Sequence, residues 1–201
     1  MIQNKDKKLI ALVISLIIVQ LIICIIVGYN KRNLFCDEVF TYGLSNCEDY
    51  AFLNKETFDS LGYNGWVDAE FLQHYVNVDE ETPLSFRAAY YNQVADVHPP
   101  MYYFLIHIMC VIFGGVYTKW SGLLLNLLIL IGIDAALYYI GKEVFKGSRS
   151  KAILSVLFWS CSAVGLSNII FIRMYLLLTL EIVWRKSLEK KLKLSTLLLK
   201  K

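Results

Sequence analysis

Charged residues are scarce in this chain, and their scarcity is uneven. Asp, Glu, Lys and Arg make up 18% of the 201 residues, while hydrophobic residues make up 57%. The apolar residues are concentrated in a few long runs, which is typical of a membrane protein rather than of a soluble protein with a rich core. No basic stripe with interleaved aromatic residues occurs, so nothing indicates nucleic-acid binding.

Cysteine motifs are also missing. The five cysteines form no CxxC pair and no spacing typical of a metal site. Cys24, Cys110 and Cys161 lie in apolar runs, where inert buried thiols are expected. Cys36 and Cys47 share one polar region and have the option of a disulfide, but the odd total favours free thiols.

The apolar runs predict an all-α polytopic membrane protein with about four transmembrane helices. The first run, 9–28, is long enough to cross a bilayer, follows a lysine-rich start and is not followed by a signal-peptide cleavage site. It therefore predicts an uncleaved anchor with a cytoplasmic N-terminus. Further spans are expected at 120–140, 152–171 and 174–186, followed by a basic cytoplasmic tail at 187–201.

The charges also predict that residues 29–119 form a loop on the outer face of the cell membrane. Residues 30–100 hold twelve of the 17 acidic residues and only four cations, as the positive-inside rule expects of an outer loop. A full crossing by the apolar segment 101–117 would place the basic connector after residue 140 outside. We therefore expect 101–117 to be a re-entrant or juxtamembrane helix.

Two short helices are expected within this loop. The first covers about 67–76, and the second covers about 83–95. In the second, Thr82 is the expected N-cap, and Pro83 is expected at the first helical position, where its missing N–H has no consequence.

Two adjacent carboxylates, Asp37 and Glu38, follow the first span in apolar and aromatic surroundings. Two interpretations stay open. The carboxylates cap or hydrogen-bond a juxtamembrane helix, or they form a site in which Asp37 takes a proton from an acceptor hydroxyl. A divalent cation held by carboxylates is a further alternative, although no DxD spacing supports it, and no metal ligands are assigned.

A second cluster, Asp96-Val97-His98-Pro99-Pro100, directly precedes an apolar helix. Pro99 disfavours helical dihedrals at His98, so the imidazole is presented at a turn before the helix starts. Further along, Arg173 lies where two apolar runs meet, and a guanidinium there suits a phosphate group. An arginine that only reaches from the apolar region to the membrane surface is the alternative. Lys119 precedes the second span and either attracts phosphate or anchors the helix.

These residues, in this order, resemble the polytopic glycosyltransferases of the C superfold. That group includes the protein O-mannosyltransferases and the lipid A aminoarabinose transferases. The resemblance covers nearly the whole chain to about residue 180, and three features carry it: Asp37-Glu38 after a first span, Asp96-Val97-His98-Pro99-Pro100-Met101-Tyr102-Tyr103 opening a helix, and Ile172-Arg173-Met174-Tyr175 after a later span.

The resemblance implies transfer of a sugar, hexosyl or pentosyl, from a polyprenyl-phosphate donor to an acceptor on the outer face. It implies that Asp37 activates the acceptor, with Glu38 beside it. Donor and acceptor binding would fall to Asp96, His98, Arg173, Tyr175 and Lys119. The implied partners are the lipid-linked sugar and membrane lipid.

The chain departs from such enzymes in the number of spans. They usually carry eight or more, so the sequence indicates a truncated or fragmentary member, with a membrane protein partner as one source of the missing helices. A non-catalytic membrane subunit that uses the outer loop to bind a partner or a lipid is the alternative function. A small transporter is less favoured, because few polar residues lie within the apolar runs.

Overall fold

The computed structural model describes residues 4–62, 66–160 and 162–198, and the regular structure in these ranges is entirely α-helical. The all-α fold class is therefore confirmed. The helices in chain order are α1 (Asn4–Asn30), α2 (Cys36–Asn46), α3 (Lys55–Ser60), α4 (Ala69–Val76), α5 (Arg87–Val94), α6 (Met101–Ile112), α7 (Lys119–Val144), α8 (Arg149–Ser160), α9 (Ala163–Ile170) and α10 (Tyr175–Leu198).

The chain divides into two compact units, which are described separately. The loop unit comprises Arg32–Leu125 together with the short segment Phe171–Met174. The membrane unit comprises the described parts of Met1–Lys31, Asn126–Ile170 and Tyr175–Lys201. The loop unit covers most of the region that the charges predict to be outside, and its side of the membrane stays a prediction.

Two helices are long and apolar enough to cross a membrane: α1 over Ala11–Asn30, and α7. The pair α8 and α9 forms a third candidate span, bent by 60°. These helices support a membrane protein. The predicted fourth span is not among the candidates in the described residues, because α10 carries charge from Glu181 onward. Among the described residues the candidates therefore number two, or three if the bent pair is one span, and the span predicted at 174–186 stays a prediction.

Small and polar residues hold the helices of the membrane unit together. A Cβ placed on Gly141 would lie only 2.9 Å from the Ala152 Cα, so α7 and α8 approach closely at a small residue, as membrane helices often do. Elsewhere in the unit the Asn126 side chain donates to the Ile169 carbonyl at 2.8 Å. That bond satisfies a polar group that has no water to bind inside a bilayer.

In the loop unit, α2 packs against α4, α5 and α6. The core is unusually rich in tyrosine: Tyr42, Tyr75, Tyr102 and Tyr103 are fully buried. Gly43 is required on α2, because a Cβ at this position would overlap the ring of Tyr75. The bulky rings and the bare helix face therefore fit one another.

Helix α6 is the apolar helix for which a non-crossing arrangement is predicted. Its 12 residues extend about 18 Å, whereas the hydrocarbon core is about 30 Å thick. The turn after it is fixed within the loop unit, because the Val78 N–H donates to the Gly115 carbonyl at 2.9 Å and the Tyr117 N–H donates to Asn77 Oδ1 at 2.7 Å. The non-crossing arrangement itself stays a prediction.

The two predicted loop helices differ in accuracy. The first is found at Ala69–Val76, with Asp68 as its N-cap. The second begins at Arg87 rather than at Pro83, so the predicted start was wrong. The Thr82 hydroxyl donates to Asp79 Oδ2, and the Ser85 N–H donates to the Thr82 carbonyl, so Pro83 lies in a β-turn, where its fixed φ is equally favourable.

The cysteines of the described residues are free thiols. Cys24, Cys47 and Cys110 are buried, whereas Cys36 is exposed at the start of α2. Cys161 lies outside the described residues.

Candidate functional site

The Glu38 carboxylate, fully buried in the third position of α2, accepts one backbone N–H on each oxygen. Oε2 accepts from the Phe35 N–H at 2.8 Å, the reach-back bond of a capping box. Oε1 accepts from the Ile172 N–H, also at 2.8 Å, although that residue is 134 positions later in the chain. Glu38 therefore fastens the segment Phe171–Met174 to the start of α2.

This attachment places Arg173 against α2. Its Nη1 donates to the Asp37 carbonyl at 3.2 Å and to Thr41 Oγ1 at 3.4 Å, and its Nη2 lies 4.0 Å from Asp37 Oδ1. The arginine is only 8% exposed, and its Nε has no hydrogen-bond partner. A buried guanidinium is costly unless it is paired, so the Asp37 carboxylate is a stabilising neighbour.

The Asp37 side chain differs from that of Glu38 in its exposure and in the number of its hydrogen bonds. It is 53% exposed, and its carboxylate meets the arginine on one side only. The carboxylate is therefore accessible to an acceptor hydroxyl. Of the two adjacent acids, Asp37 is accessible, whereas Glu38 is buried and bonded to two backbone N–H groups.

Asp96 and His98 form a second pair in the loop unit. His98 Nδ1 lies 2.7 Å from Asp96 Oδ2, and the Val97 N–H donates to Asp96 Oδ1 at 2.7 Å. Burial by itself would raise the pKa of Asp96, but the hydrogen bonds from His98 and Val97 and the charges of His98 and Arg173 lower it below 3.8. Arg173 therefore acts electrostatically on both Asp37 and Asp96.

The ionised Asp96 carboxylate accepts hydrogen bonds only, so His98 Nδ1 carries the proton in this pair. In the neutral imidazole Nε2 is then an acceptor. His98 is half-buried, with 23% of its side chain exposed. The pair is built like the carboxylate–imidazole arrangements that fix a histidine tautomer.

The last two candidate residues, Lys119 and Tyr175, belong to different units of the chain. Lys119 is the first residue of α7 and lies with its Nζ 5.7 Å from the centre of the Trp120 ring. The start of α7 is attached to α2, because the Tyr42 hydroxyl donates to the Thr118 carbonyl and accepts from the Gly122 N–H. Tyr175, 41% exposed, belongs to the membrane unit.

Two functional neighbours were missed by sequence reasoning. Thr41 lies one helical turn after Asp37, and its hydroxyl accepts a hydrogen bond from Arg173. The spacing of four residues already indicates that Asp37 and Thr41 share one face of α2. Tyr42 holds the start of α7, and no local signal in the sequence points to that role. Among the described residues, no three His, Cys, Asp or Glu side chains are placed to hold a metal ion, so the divalent-cation alternative gains no support.

A family model described as dolichyl-phosphate-mannose-protein mannosyltransferase matches residues 97–198. The chain belongs to this family. It is therefore a membrane glycosyltransferase of the C-superfold type, and the resemblance of its motifs to those enzymes is confirmed. No curated protein and no solved structure matches the chain.

The matched range includes His98, Lys119 and Arg173 but not Asp37 or Glu38. The contacts of Arg173 and Ile172 with α2 therefore connect the part of the chain that carries the family pattern to the acidic pair outside it. In this family member the acidic pair and the arginine form one structural cluster. Their roles in the reaction stay predictions.

Substitutions of Glu38 and Asp37 should change the unfolding free energy by different amounts. Glu38→Gln replaces one buried acceptor oxygen with an NH2 donor that faces a backbone N–H, so we expect a loss of about 2–4 kcal/mol in unfolding free energy. Asp37→Asn changes a half-exposed group, and we expect a loss of about 1 kcal/mol or less.

Thermal unfolding of the full chain in detergent micelles measures both effects. Glu56→Gln, on the exposed face of α3, is the matched control, and no change is expected for it. Equal destabilisation by Glu38→Gln and Asp37→Asn would contradict the division between a structural and an accessible carboxylate.

Proposed function

We propose that the chain transfers a sugar from a polyprenyl-phosphate donor to an acceptor hydroxyl on the outer face of the membrane. The observation that carries this proposal is the half-exposed Asp37 carboxylate held beside the buried Arg173 guanidinium. Membership in a family whose model is described as using dolichyl-phosphate mannose supports a lipid-phosphate donor. Mannose is the first sugar to test.

The reaction needs one proton acceptor and one stabilised leaving group. In the proposed step the Asp37 carboxylate takes the proton of the acceptor hydroxyl as its oxygen bonds to the anomeric carbon of the sugar. The bond from that carbon to the phosphate oxygen breaks, and the polyprenyl phosphate leaves with the electron pair. A base positioned in this way typically accelerates a reaction by about 10²–10⁴-fold.

Arg173 is proposed to have two effects. It fixes the position of α2 through the Asp37 carbonyl and Thr41, and its positive charge favours the phosphate of the departing lipid. Lys119, half-exposed at the start of α7, is proposed to add a second positive charge for the phosphate. A lipid phosphate lies at headgroup level, where such residues are expected to meet it.

Asp96, His98 and Tyr175 are proposed to bind the sugar or the acceptor. The Asp96–His98 pair presents an oriented imidazole, which is suited to hydrogen bonding with hydroxyl groups. Tyr175, the first residue of α10, is 41% exposed, and its role in substrate binding is proposed from the family resemblance alone.

A transfer assay tests the proposal. Proteoliposomes with the full chain, radiolabelled polyprenyl-phosphate mannose and a hydroxyl-bearing acceptor peptide should form labelled peptide. Asp37→Asn should lower the rate by about 10²-fold or more, because a neutral amide cannot accept the proton. Glu56→Gln should transfer at the wild-type rate.

Arg173→Lys separates the two effects of the arginine. The lysine keeps the positive charge but loses the planar guanidinium that bonds the Asp37 carbonyl and Thr41. The kcat should therefore fall only slightly if the charge on the leaving phosphate is the main effect, and strongly if the positioning of α2 is. Absence of transfer by the wild-type chain with any polyprenyl-phosphate sugar would contradict the proposed function. Transfer that survives Asp37→Asn but is lost in His98→Gln would move the base from Asp37 to His98.

The orientation is tested by the exposed thiol at the start of α2. We expect a membrane-impermeant maleimide added to the outer side of intact cells to label Cys36, because the loop unit is proposed to face outward. Cys36→Ser should remove this label. Cys161→Ser is the control, and it should leave the label unchanged. Labelling of Cys36 only after the cells are opened would place the loop unit on the cytoplasmic side.

A further inference from the structure

Gly122, near the start of α7, lies where three segments of the loop unit meet. These segments are α2, the first turns of α7 and Phe171–Met174. A Cβ at residue 122 would overlap the Ile172 Cγ2 methyl and would lie 2.7 Å from the Tyr42 hydroxyl oxygen. Both neighbours are fully buried in a packed core, so neither has room to move aside. Only glycine fits between them.

The contact with Ile172 is rigid. Its Cγ2 methyl is attached directly to Cβ, so the methyl moves only if χ1 rotates or the backbone shifts, and χ1 of a β-branched residue is restricted. The backbone of this residue is itself fixed, because its N–H donates to Glu38 Oε1 at 2.8 Å. A larger residue at position 122 would therefore displace the segment Phe171–Met174.

The Tyr42 hydroxyl holds the same turn of α7 from the side of α2. It donates to the Thr118 carbonyl at 3.2 Å and accepts from the Gly122 N–H at 3.1 Å. These two bonds give the first turn of α7 a defined position on α2. Gly122 transmits that position to Ile172, which packs against it.

Arg173 directly follows Ile172, so the position of Ile172 decides where the guanidinium lies. The Arg173 N–H donates to the Phe171 carbonyl at 2.9 Å in a tight turn, which leaves the segment little freedom. The guanidinium donates to the Asp37 carbonyl at 3.2 Å and to Thr41 Oγ1 at 3.4 Å. Both distances are long for hydrogen bonds, so a small displacement of the segment would break them.

We propose that Gly122 is a positioning residue for Arg173. The missing side chain lets Ile172 pack into the first turn of α7, and this packing holds the guanidinium beside the Asp37 carboxylate. Glycine is unfavourable inside a helix, and the close approach of Ile172 is the physical reason for one here. The effect of this residue on catalysis rests on the proposed function, whereas its effect on the position of Arg173 does not.

Hydrogen exchange in the full chain tests the positional part. Gly122→Ala should make the amide of residue 172 exchange at least about tenfold faster, because the displaced segment loses its bond to Glu38. Adding Ile172→Ala removes the overlapping methyl and should restore most of the protection, with Ile172→Ala alone as the reference. Gly132→Ala on the same helix is the matched control. Its new Cβ would first meet the flexible end of the Leu180 side chain, at 3.1 Å, so the amide of residue 172 should stay protected.

Transfer kinetics test whether Gly122 acts through the arginine. In the proteoliposome assay Gly122→Ala should lower kcat/KM by about 10–10²-fold, since a displacement of about 1 Å can cost that much. The same substitution in an Arg173→Ala background should have almost no further effect, because the group that it displaces is gone. A residue that only stabilises the fold would lower the activity by the same factor in both backgrounds.

Tyr42→Phe is a milder variant that introduces no overlap. It removes the hydroxyl that holds the first turn of α7. The Gly122 amide should therefore exchange faster, and kcat/KM should fall about three- to tenfold, as expected for the loss of one buried hydrogen bond.

The outcomes are distinct. The proposal is overturned if the amide of residue 172 is as protected in Gly122→Ala as in Gly132→Ala, or if Ile172→Ala does not rescue the first variant. Equal losses of activity with and without Arg173 would also overturn it. If the wild-type chain transfers no sugar, the proposed function fails, while the exchange measurements still decide whether Gly122 positions Arg173.

Discussion

The loop unit is organised by one buried carboxylate that binds two backbone N–H groups far apart in sequence. Glu38 satisfies the first turn of α2 with one oxygen and the Ile172 N–H with the other. A buried charge of this kind is stable only because both oxygens are hydrogen-bonded. Its consequence is positional, since the residue after Ile172 is the arginine that lies beside Asp37.

The arrangement gives adjacent acids different tasks. Successive residues on a helix project about 100° apart, so one position of the pair points into the loop unit while the other points outward. Glu38 is fully buried, and the Asp37 side chain is about half exposed. Burial raises the pKa of Asp96, the carboxylate that orients His98, and hydrogen bonds from His98 and Val97 lower it. The charge of Arg173 lowers this pKa further, by a smaller amount. One buried cation thus acts on two acidic motifs of the same unit.

Local patterns of the sequence predicted the elements that local physics controls. The apolar run of α1, the helix at Ala69–Val76 and the apolar helix α6 follow from composition and capping residues. The start of α5 was mispredicted because a proline after a threonine suits both a helix start and a β-turn. Here the Thr82 hydroxyl bonds to Asp79, and that bond favours the turn.

The site itself was predictable only in part. Asp37, Asp96, His98 and Arg173 were identified as candidates from their types and surroundings, whereas the partner of Glu38 was not. A hydrogen bond to a backbone N–H that lies 134 residues away leaves no trace in the local pattern of either segment.

The bond between Glu38 and Ile172 is the central element of this account, and amide hydrogen exchange measures it most directly. In the full chain the Ile172 amide should exchange slowly, and Glu38→Gln should make it exchange fast while Asp37→Asn leaves it protected. An Ile172 amide that exchanges in the wild-type chain as fast as an unprotected peptide would contradict the account.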